Sequence, residues 1–435
     1  MADEPAGVPA ARDEVVLTGM GAASVFGRGA APLLDGASTG VHGFDEVTRF
    51  DVRRRRVRSA AHMPGSPDLA SELVAVIEDA CEDAALSAND RARCLLLLAA
   101  HADRSLTERH GPVAGPPAES PGPVAGPLPG WPGPVAGPLP EWPGAVAEWP
   151  GAVAEWPGAV DGIQTAHNGG GLAASVASRC GLLVGPRVYT AACVAASSAV
   201  ADAAAMIAHG RVDRVVVAAG YLVDEVNFAV FDAGRALARD GRVRPFSAGR
   251  KGILLGDGVA AVVLESGPAA RSRRARPLAV VAGWGRAGDA YHVCQPRPDG
   301  AGLAGAVRSA LRRAAVTPDE VGYVNANGTG TPQSDAAEAA GLSRALGESL
   351  ERIPVSSTKS VHGHALEASA LLELVVTVLA LRSGVLPVNA GFLEPDASCA
   401  LDLVLDVGRH AQISYALSVN FAFGGANTAL LVGAA

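Results

Sequence analysis

Lysine, aromatic residues and long apolar runs are scarce in this sequence. Among its 36 basic residues only Lys251 and Lys359 are lysines, and aromatic residues make up 4% of the 435 positions. No apolar run approaches the roughly 20 residues of a membrane-spanning helix. The first residues, M-A-D-E-P-A-G, carry acids where a secretory signal carries basic side chains. We therefore expect a soluble protein in the cytoplasm that makes no contact with membranes.

The sequence also lacks the spacings that indicate a disulfide framework or a metal site. Its six cysteines occur without a C-x-x-C pair or a Cys/His ligand pattern, at Cys81, Cys94, Cys180, Cys193, Cys294 and Cys399. The formal net charge of -8 argues against general nucleic-acid binding. Two stretches are locally basic, R-R-R-R-V-R at residues 53–58 and R-S-R-R-A-R at residues 271–276. Each is interpreted as solvated surface, with a docking patch for an acidic partner as the alternative.

Short apolar runs rich in β-formers alternate with helical patterns along the chain. Examples are E-V-V-L-T-G-M-G, P-R-V-Y-T-A-A-C and D-R-V-V-V-A-A-G, and the order recurs later in L-A-V-V-A-G-W, V-G-Y-V-N-A-N-G and I-P-V-S-S-T-K-S. Such alternation predicts an α/β protein with buried sheets. The recurrence after the R-S-R-R-A-R linker predicts two similar halves.

Cys193 stands where a predicted strand meets a predicted alanine-rich helix at residues 194–209. In the second half, a predicted strand through Val355 leads through K-S-V-H-G-H to another apolar helix that begins after His364. Both helices are apolar nearly all round, as buried helices are, so they could aim Cys193 and His364 at one point. A helix N-terminus favours thiolate over thiol. Cys193 is therefore the predicted nucleophile, and Cys81, Cys94, Cys180 and Cys399 are interpreted as structural.

Several motifs resemble those of β-ketoacyl synthases of the elongating type. They are T-A-A-C-V-A-A-S followed by M-I-A-H-G, L-L-G-D-G-V-A-A-V-V-L-E, V-N-A-N-G-T-G-T-P-Q-S-D-A-A-E, S-S-T-K-S-V-H-G-H and S-V-N-F-A-F-G-G-A-N-T. The resemblance covers nearly the whole chain and implies a thiolase-like, five-layer αβαβα fold of two pseudo-symmetric halves, normally dimeric. We expect the N-terminal half at residues 1–265 and the C-terminal half at residues 266–435.

The resemblance implies a role for each matching residue. Cys193 resembles the acyl-accepting nucleophile, and its backbone N–H would form the oxyanion hole together with that of Phe423. His364 resembles the second catalytic histidine, Lys359 its charge partner, and Glu338 the acid that balances the lysine.

Three further residues match positions that contact the substrate arm in the family. Thr329 and Thr331 resemble the pair that hydrogen-bonds the phosphopantetheine arm, and Phe421 resembles the gatekeeper before the nucleophile. Threonines in a Gly-rich loop also cap turns, and such a phenylalanine is also often core. The resemblance implies no bound cofactor and no metal, since the substrate arrives on the phosphopantetheine of an acyl carrier protein. It also implies a homodimer or a ketosynthase-type heterodimer.

Asn327 is the main departure from the family pattern. The family has H-G-T-G-T where this chain has N-G-T-G-T, so the first catalytic histidine is absent. An amide can donate a hydrogen bond to a thioester enolate, but it cannot carry a proton. We expect a ketosynthase-like acyltransferase of secondary metabolism, in which acyl loading survives and decarboxylative elongation is impaired. The alternative is a non-catalytic subunit of a heterodimer, like a chain-length factor, although those partners typically lack the cysteine.

Smaller departures lie around the same motifs. His362 is an extra histidine that could compensate for the missing one, or is simply a loop imidazole. Lys251 replaces an acid after arginine and would alter a charge near the site. Ala422 replaces a glycine after the predicted gatekeeper, which would stiffen the gating segment.

A Pro/Gly/Trp repeat at residues 111–160 lies outside the resemblance. It contains G-P-V-A-G-P-L-P units followed by copies of E-W-P-G-A-V-A or near variants. Pro-Gly pairs are turn chemistry, and tandem turns cannot build a core. The segment is interpreted as an expanded low-complexity loop, with a tryptophan-bearing arm for a partner or an acyl chain as the alternative.

Overall fold

The computed structural model describes residues 14–100, 169–183 and 185–435. These residues belong to one compact unit. The Pro/Gly/Trp repeat lies outside the described residues, so both interpretations of it remain predictions.

Most strands of the described chain belong to one large mixed sheet. The strands are β1 (Val15–Ser24), β2 (Gly27–Arg28), β3 (Phe44–Glu46), β4 (Ser59–Ala61), β5 (Leu95–Ala100), β6 (Arg187–Tyr189), β7 (Arg214–Tyr221), β8 (Gly258–Ser266), β9 (Ala279–Gly288), β10 (Val321–Asn325), β11 (Pro354–Ser356), β12 (Asp402–Leu403), β13 (Tyr415–Ala422) and β14 (Ala426–Gly433). Strands β3 and β4 form a separate small hairpin. Strands β1, β5 and β8 are buried at every position, as expected for a sheet that is covered on both faces.

Helices cover the outer faces of the sheet and also lie between its two parts. They are α1 (Ala30–Thr39), α2 (Leu69–Asp83), α3 (Ala88–Arg91), α4 (Gly169–Arg179), α5 (Ala195–Ala208), α6 (Glu225–Ala233), α7 (Gly267–Ser272), α8 (Ala301–Ala314), α9 (Pro332–Leu346), α10 (Lys359–His362) and α11 (Ser369–Ser383). Short 3₁₀ turns precede α5 and α11. The α/β prediction is confirmed.

The strand order repeats between the two parts of the sheet. From one edge inward the order is β6, β5, β7, β8, β1, and from the other edge inward it is β11, β10, β13, β14, β9, with β12 outside β11. In each set the strands occur in the chain order third, second, fourth, fifth, first. The two sets meet where β1 runs antiparallel to β9, at Val16 opposite Val280 and Leu17 opposite Ala279. The duplication read from the sequence is thus visible in the topology, whereas the boundary at residue 265 remains a prediction.

Helices α5 and α11 form the inner layer between the two parts of the sheet. Helix α5 packs on β5 and β7, helix α11 packs on β8 and β13, and the two helices contact each other. Helix α2 covers the outer face of β1, β7 and β8, and α8 covers the outer face of β9 and β14. The layers of the fold, from one outer face to the other, are therefore helix, sheet, helix, sheet and helix.

Matching glycines bring the outer helices close to the central strands. A Cβ atom on Gly19 of β1 would lie 2.1 Å from the carbonyl oxygen of Ala80 in α2. A Cβ atom on Gly283 of β9 would lie 2.1 Å from the carbonyl oxygen of Ala310 in α8. Both glycines are needed because the helix backbone leaves no room for a side chain.

Candidate active site

Cys193 lies in the 3₁₀ turn Ala192–Val194 that leads directly into α5. The residue before it, Ala192, has a φ of 47°, in the left-handed region that disfavours side chains. The Cys193 side chain is 9% exposed, and burial raises its pKa to about 12, while the charge of Lys359 acts in the opposite direction. The helix start is where the sequence predicts it. Desolvation therefore acts against the thiolate that the helix start was expected to favour.

His364 is buried just before α11, and its hydrogen bonds define its tautomer. Its Nδ1 accepts the backbone N–H of Leu366 at 3.2 Å and lies 2.7 Å from the Ser369 hydroxyl, which itself accepts the backbone N–H of Ala365. Because a backbone N–H can only donate, Nδ1 is the acceptor and the ring proton lies on Nε2. Burial and the nearby Lys359 hold the pKa of His364 well below its usual range. The ring is therefore a neutral N–H donor at neutral pH.

The Asn327 side chain is held in one orientation by Lys359. Lys359 Nζ donates to Asn327 Oδ1 at 3.2 Å, so the other end of the amide, Nδ2, points away from the lysine. Asn327 is 1% exposed, and its Nδ2 is buried with no hydrogen-bond partner in the described part of the chain. An unsatisfied buried donor that lines a cavity together with Cys193 is available to an oxygen atom of a ligand.

The carboxylate paired with Lys359 is Glu373, and this differs from the expectation for Glu338. Lys359 Nζ lies 2.5 Å from Glu373 Oε1 in α11, and Glu373 also accepts from Asn420 Nδ2 at 2.6 Å. Sequence reasoning missed Glu373. The sequence does mark this residue, because Glu373 is an acid within the otherwise apolar run L-L-E-L-V-V.

Glu338 instead holds the loop that carries Asn327. Its two carboxylate oxygens accept the backbone N–H groups of Asn327 at 2.6 Å and Gly328 at 2.7 Å. Burial raises the pKa of Glu338 to about 8, and the charge of Lys359 acts against that rise. Glu338 is thus a positioning residue for the Asn327 loop, and its influence on Lys359 is through charge.

Most site residues predicted from the motifs line one cavity, and the exceptions are Lys359 and Glu338. The cavity measures about 70 Å³ and is lined by Cys193, Phe231, Ala236, Ile253, Cys294, Pro296, Asn327, Thr329, Thr331, Ser334, His364, Phe421, Ala422 and Phe423. Thr329 and Thr331 lie together, with their hydroxyl oxygens 3.1 Å apart. The structure therefore brings together residues that are more than 200 positions apart in the sequence, from Cys193 to Phe423.

Phe423 is the exposed ring of the predicted gating segment, and Phe421 is the buried one. Phe421 is 9% exposed within β13, whereas Phe423 is 56% exposed and stacks on Phe231 with ring centroids 6.1 Å apart. Both rings line the cavity. Phe423 is thus the more exposed of the two rings, and the gatekeeper role of Phe421 and the oxyanion role of the Phe423 backbone remain predictions.

His362 and Lys251, which the sequence offered as further site residues, do not line the cavity. The ring of His362 uses both nitrogens, with Nδ1 donating to the Gly363 carbonyl at 2.8 Å and Nε2 lying 2.9 Å from the Thr358 hydroxyl. Burial lowers the pKa of His362 to about 4. Lys251 is exposed and pairs with Asp240 at 3.4 Å. His362 is therefore structural, and the Lys251 charge lies on the surface.

No group of three or more His, Cys, Asp or Glu side chains in residues 14–100, 169–183 and 185–435 is placed to hold a metal ion. Within the same ranges, each helix is too short or too polar to cross a membrane.

Comparison with known families defines the class of this protein. The β-ketoacyl synthase N-terminal domain matches residues 150–270, and the β-ketoacyl synthase C-terminal domain matches residues 278–393. Together these matches cover more than half of the chain, so the protein belongs to the β-ketoacyl synthase family.

Individual relatives include a nodulation protein, a 3-oxoacyl-[acyl-carrier-protein] synthase and a polyketide synthase subunit. The chain is 42% identical over 244 residues to Nodulation protein E of Rhizobium leguminosarum bv. trifolii, covering 55% of this chain and 59% of that protein. It is 38% identical over 257 residues to 3-oxoacyl-[acyl-carrier-protein] synthase 2 of Vibrio harveyi, covering 57% and 62%. It is 38% identical over 251 residues to the tetracenomycin polyketide synthase ketoacyl synthase alpha subunit of Streptomyces glaucescens, covering 56% and 59%. The aligned part thus spans about three fifths of each relative.

Solved structures match over nearly the full chain. The ishigamide ketosynthase/chain length factor superposes with a TM-score of 0.80 at 26% identity, covering 98% of this chain and 100% of that chain. A β-ketoacyl synthase from Burkholderia phymatum STM815 has a TM-score of 0.78 at 24% identity, covering 97% and 100%, which shows the shared fold. The predicted thiolase-like fold is confirmed.

Proposed function

We propose that this protein is a ketosynthase-like acyltransferase of polyketide or fatty-acid-like secondary metabolism, with impaired decarboxylative elongation. The observation that supports it best is the cavity in which Cys193, Asn327 and His364 meet beside the Thr329 and Thr331 hydroxyls. A thiol, two N–H donors and a pair of hydroxyls in one pocket fit a thioester with its amide-bearing arm.

The first step is acyl transfer from the phosphopantetheine thiol of a carrier protein to Cys193. The Cys193 sulfur attacks the thioester carbonyl, the backbone N–H groups of Cys193 and Phe423 bind the developing oxyanion, and the pantetheine thiol leaves. The Cys193 thiol proton ends on the departing sulfur, so the exchange needs no net proton transfer to the protein. A resting thiol with a raised pKa is compatible with this exchange.

The second step, decarboxylation of a malonyl thioester, is limited by Asn327. Asn327 Nδ2 and His364 Nε2 can both donate to the thioester oxygen as it becomes an enolate. Decarboxylation releases carbon dioxide and leaves the electron pair on the enolate, which next needs a proton at its carbon, or, in condensation, a proton on the departing Cys193 sulfur. The Asn327 amide cannot supply that proton, whereas an imidazolium can. Enolate binding is therefore retained while proton supply is weakened.

The defining experiment is intact-protein mass measurement after incubation with acyl-loaded carrier protein. A mass increase of one acyl group is expected, and Cys193→Ala should abolish it. Cys294→Ala is the matched control, because Cys294 lines the same cavity but is exposed. Equal adduct formation by the Cys193→Ala protein would overturn the assignment.

A second candidate function is a non-catalytic subunit in a ketosynthase heterodimer. Asn327 favours it, as does the likeness to a structure described as a ketosynthase/chain length factor. The same mass measurement separates the two, because a non-catalytic subunit forms no Cys193 adduct even with its partner present. A homodimer with an adduct supports the first proposal.

A further inference from the structure

Cys294 is the one cysteine exposed to solvent in the part of the chain that the structure describes. The other cysteines are buried, and they are Cys81, Cys94, Cys180, Cys193 and Cys399. Burial raises the pKa of each of these buried thiols to about 11 or about 12, which leaves little of the reactive thiolate. A dissolved reagent that reacts with thiols therefore meets Cys294 first.

The loop that carries Cys294 is fixed to the turn between β13 and β14. The Val293 carbonyl accepts the backbone N–H of Gly424, which lies in that turn, at 2.8 Å. Within the loop, the backbone N–H of Cys294 donates to His292 Nδ1 at 3.0 Å. Cys294 lines the same cavity as Cys193, so one cavity contains an exposed thiol and a buried thiol.

The cavity also contains hydrogen-bond donors that are left for a ligand. Asn327 Nδ2 is buried and has no acceptor among the described residues, while Oδ1 of the same amide binds Lys359. The hydroxyl oxygens of Thr329 and Thr331 lie 3.1 Å apart, so one hydroxyl hydrogen serves that bond and the other is available. Donors of this kind match the carbonyl oxygens of an amide-bearing chain.

The rest of the cavity wall favours a neutral ligand. Much of it is apolar, with side chains such as those of Phe231, Ala236 and Ile253, and the described residues that line it include no lysine, arginine, aspartate or glutamate. A charged ligand would lose water there without gaining an ion-pair partner, which is costly. The cavity therefore fits a neutral chain with amide carbonyls, next to the exposed thiol of Cys294.

We propose that Cys294 is a modification site, which exchanges with the disulfide of a pantetheine-type thiol and thereby closes the cavity over Cys193. This inference rests on the proposed function, in which the cavity accepts a pantetheine arm. Pantetheine is a neutral chain with amide groups and a terminal thiol, so it has the carbonyl oxygens that the free donors require and the sulfur that Cys294 requires. The modification takes the protein out of use while the surrounding thiol pool is oxidised.

The exchange needs no reagent besides the disulfide. The Cys294 thiolate attacks one sulfur of pantetheine disulfide, the S–S bond of the reagent breaks, and a Cys294–pantetheine disulfide forms. The departing sulfur takes up a proton to replace the one that Cys294 lost, so one pantetheine thiol is released. The attached arm occupies a cavity of about 70 Å³, which leaves no room for a second arm to reach Cys193. An added dithiol reverses the exchange.

Intact-protein mass measurement after incubation of the reduced protein with pantetheine disulfide tests the site. The parent protein and Cys193→Ala should each gain one pantetheine group, whereas Cys294→Ala should gain none. Peptide mapping should place the group on Cys294. Absence of the adduct from the parent protein, or an equal adduct on Cys294→Ala, would overturn the proposal.

A matched reagent tests whether the cavity selects the arm. Bis(2-hydroxyethyl) disulfide is also neutral but has no amide groups. The parent protein should react with pantetheine disulfide at least about tenfold faster, because Asn327 and the threonine hydroxyls hydrogen-bond the arm. Thr329→Val/Thr331→Val should reduce this preference and leave the rate with bis(2-hydroxyethyl) disulfide unchanged. Equal rates of the parent protein with the two reagents would show that the arm is not recognised, which overturns the proposal.

Alkylation of Cys193 by iodoacetamide measures whether the adduct closes the cavity, and it does not depend on acyl transfer. The Cys294 adduct should suppress both Cys193 alkylation and Cys193 acylation from hexanoyl-pantetheine, and dithiothreitol should restore both. If the reduced parent protein accepts no acyl group, the proposed function fails, and adduct formation together with Cys193 alkylation still decides this inference. Alkylation of Cys193 in the adduct at the rate of the unmodified protein would overturn it.

Discussion

The side-chain amide of Asn327 is oriented by its hydrogen bond with the buried Lys359. With Oδ1 occupied by Lys359, Asn327 offers the cavity only a donor, and His364 does the same through Nε2. The pair can bind an oxyanion, but the amide cannot give up a proton. The proposed condensation creates an enolate and then needs a proton for the departing Cys193 sulfur, so the amide limits it at that point.

Asn327→His should raise malonyl decarboxylation. A titratable ring at this position restores proton exchange, and such groups contribute about 10²–10⁴-fold, so an increase of at least about tenfold is expected. The measurement is release of carbon dioxide from a malonyl-loaded carrier protein, with Asn327→Ala as the control. Robust decarboxylation by the parent protein that Asn327→Ala leaves undiminished would show that position 327 is not limiting.

Lys359→Met should destabilise the fold strongly. It leaves the Glu373 carboxyl buried beside no cation, and breaking a buried pair in this way costs about 3–5 kcal/mol. The double variant Lys359→Met/Glu373→Gln removes both charges and should recover part of the loss. Urea unfolding of the three proteins measures this difference. A single variant as stable as the double variant would mean that the ion pair carries no such cost.

Among the secondary-structure elements, α9 carries two buried acids that hold the loop before it. Asp335 accepts the backbone N–H of Gly330 at 3.0 Å, and Glu338 accepts those of Asn327 and Gly328. Burial raises the pKa of Asp335 to about 6 and that of Glu338 to about 8. Protonation of these two acids therefore affects the hydrogen bonds that hold the loop in place.

The contribution of Glu338 to stability should fall as the pH rises toward 8. A raised folded-state pKa means that the folded protein binds more protons than the unfolded chain between the ordinary carboxyl range and about pH 8. The stabilisation is full below that window and is lost as pH increases through it. Glu338→Gln should flatten the profile and cost about 1–3 kcal/mol at the acidic end, where one backbone N–H loses its acceptor. Unfolding midpoints from pH 5 to 8 test this, and parallel profiles for the two proteins would contradict it.

The positions of α5 and α11 could be predicted from the sequence, but their partners could not. Cys193 and His364 stand at the changes from strand to helix pattern, so their placement follows from periodicity. Glu373 was missed because α11 is apolar all round, and such a helix gives no sign of which side faces the site. Phe421 and Phe423 differ in exposure because β13 ends at Ala422, between the two rings, and a sequence pattern does not fix the end of a strand to one residue. The raised pKa of Cys193 depends on burial, which a sequence pattern does not quantify.

For the molecule as a whole, the segment between β5 and α4 is long relative to the sheet that it connects. We expect that replacing residues 111–160 with a short Gly/Ser linker leaves folding and Cys193 acylation nearly unchanged, because loop-closure entropy varies slowly with length. Circular dichroism, gel filtration and the mass measurement check this together. If the shortened protein folds and dimerises but no longer accepts acyl groups, the tryptophan-bearing arm is part of the site.

Each half of the repeated topology contains a 3₁₀ turn before its inner helix, and the turn in the first half carries Cys193. Ala192 before Cys193 has a φ of 47°, and Leu366 before Glu367 has a φ of 41°, each at the start of a 3₁₀ turn that leads into an inner helix. A duplicated ancestral unit would have supplied two such turns facing one another across the inner layer. The turn in the first half carries Cys193, and the turn in the second half follows His364. The cavity thus takes its groups from corresponding places in the two halves, and neither half alone carries the complete set.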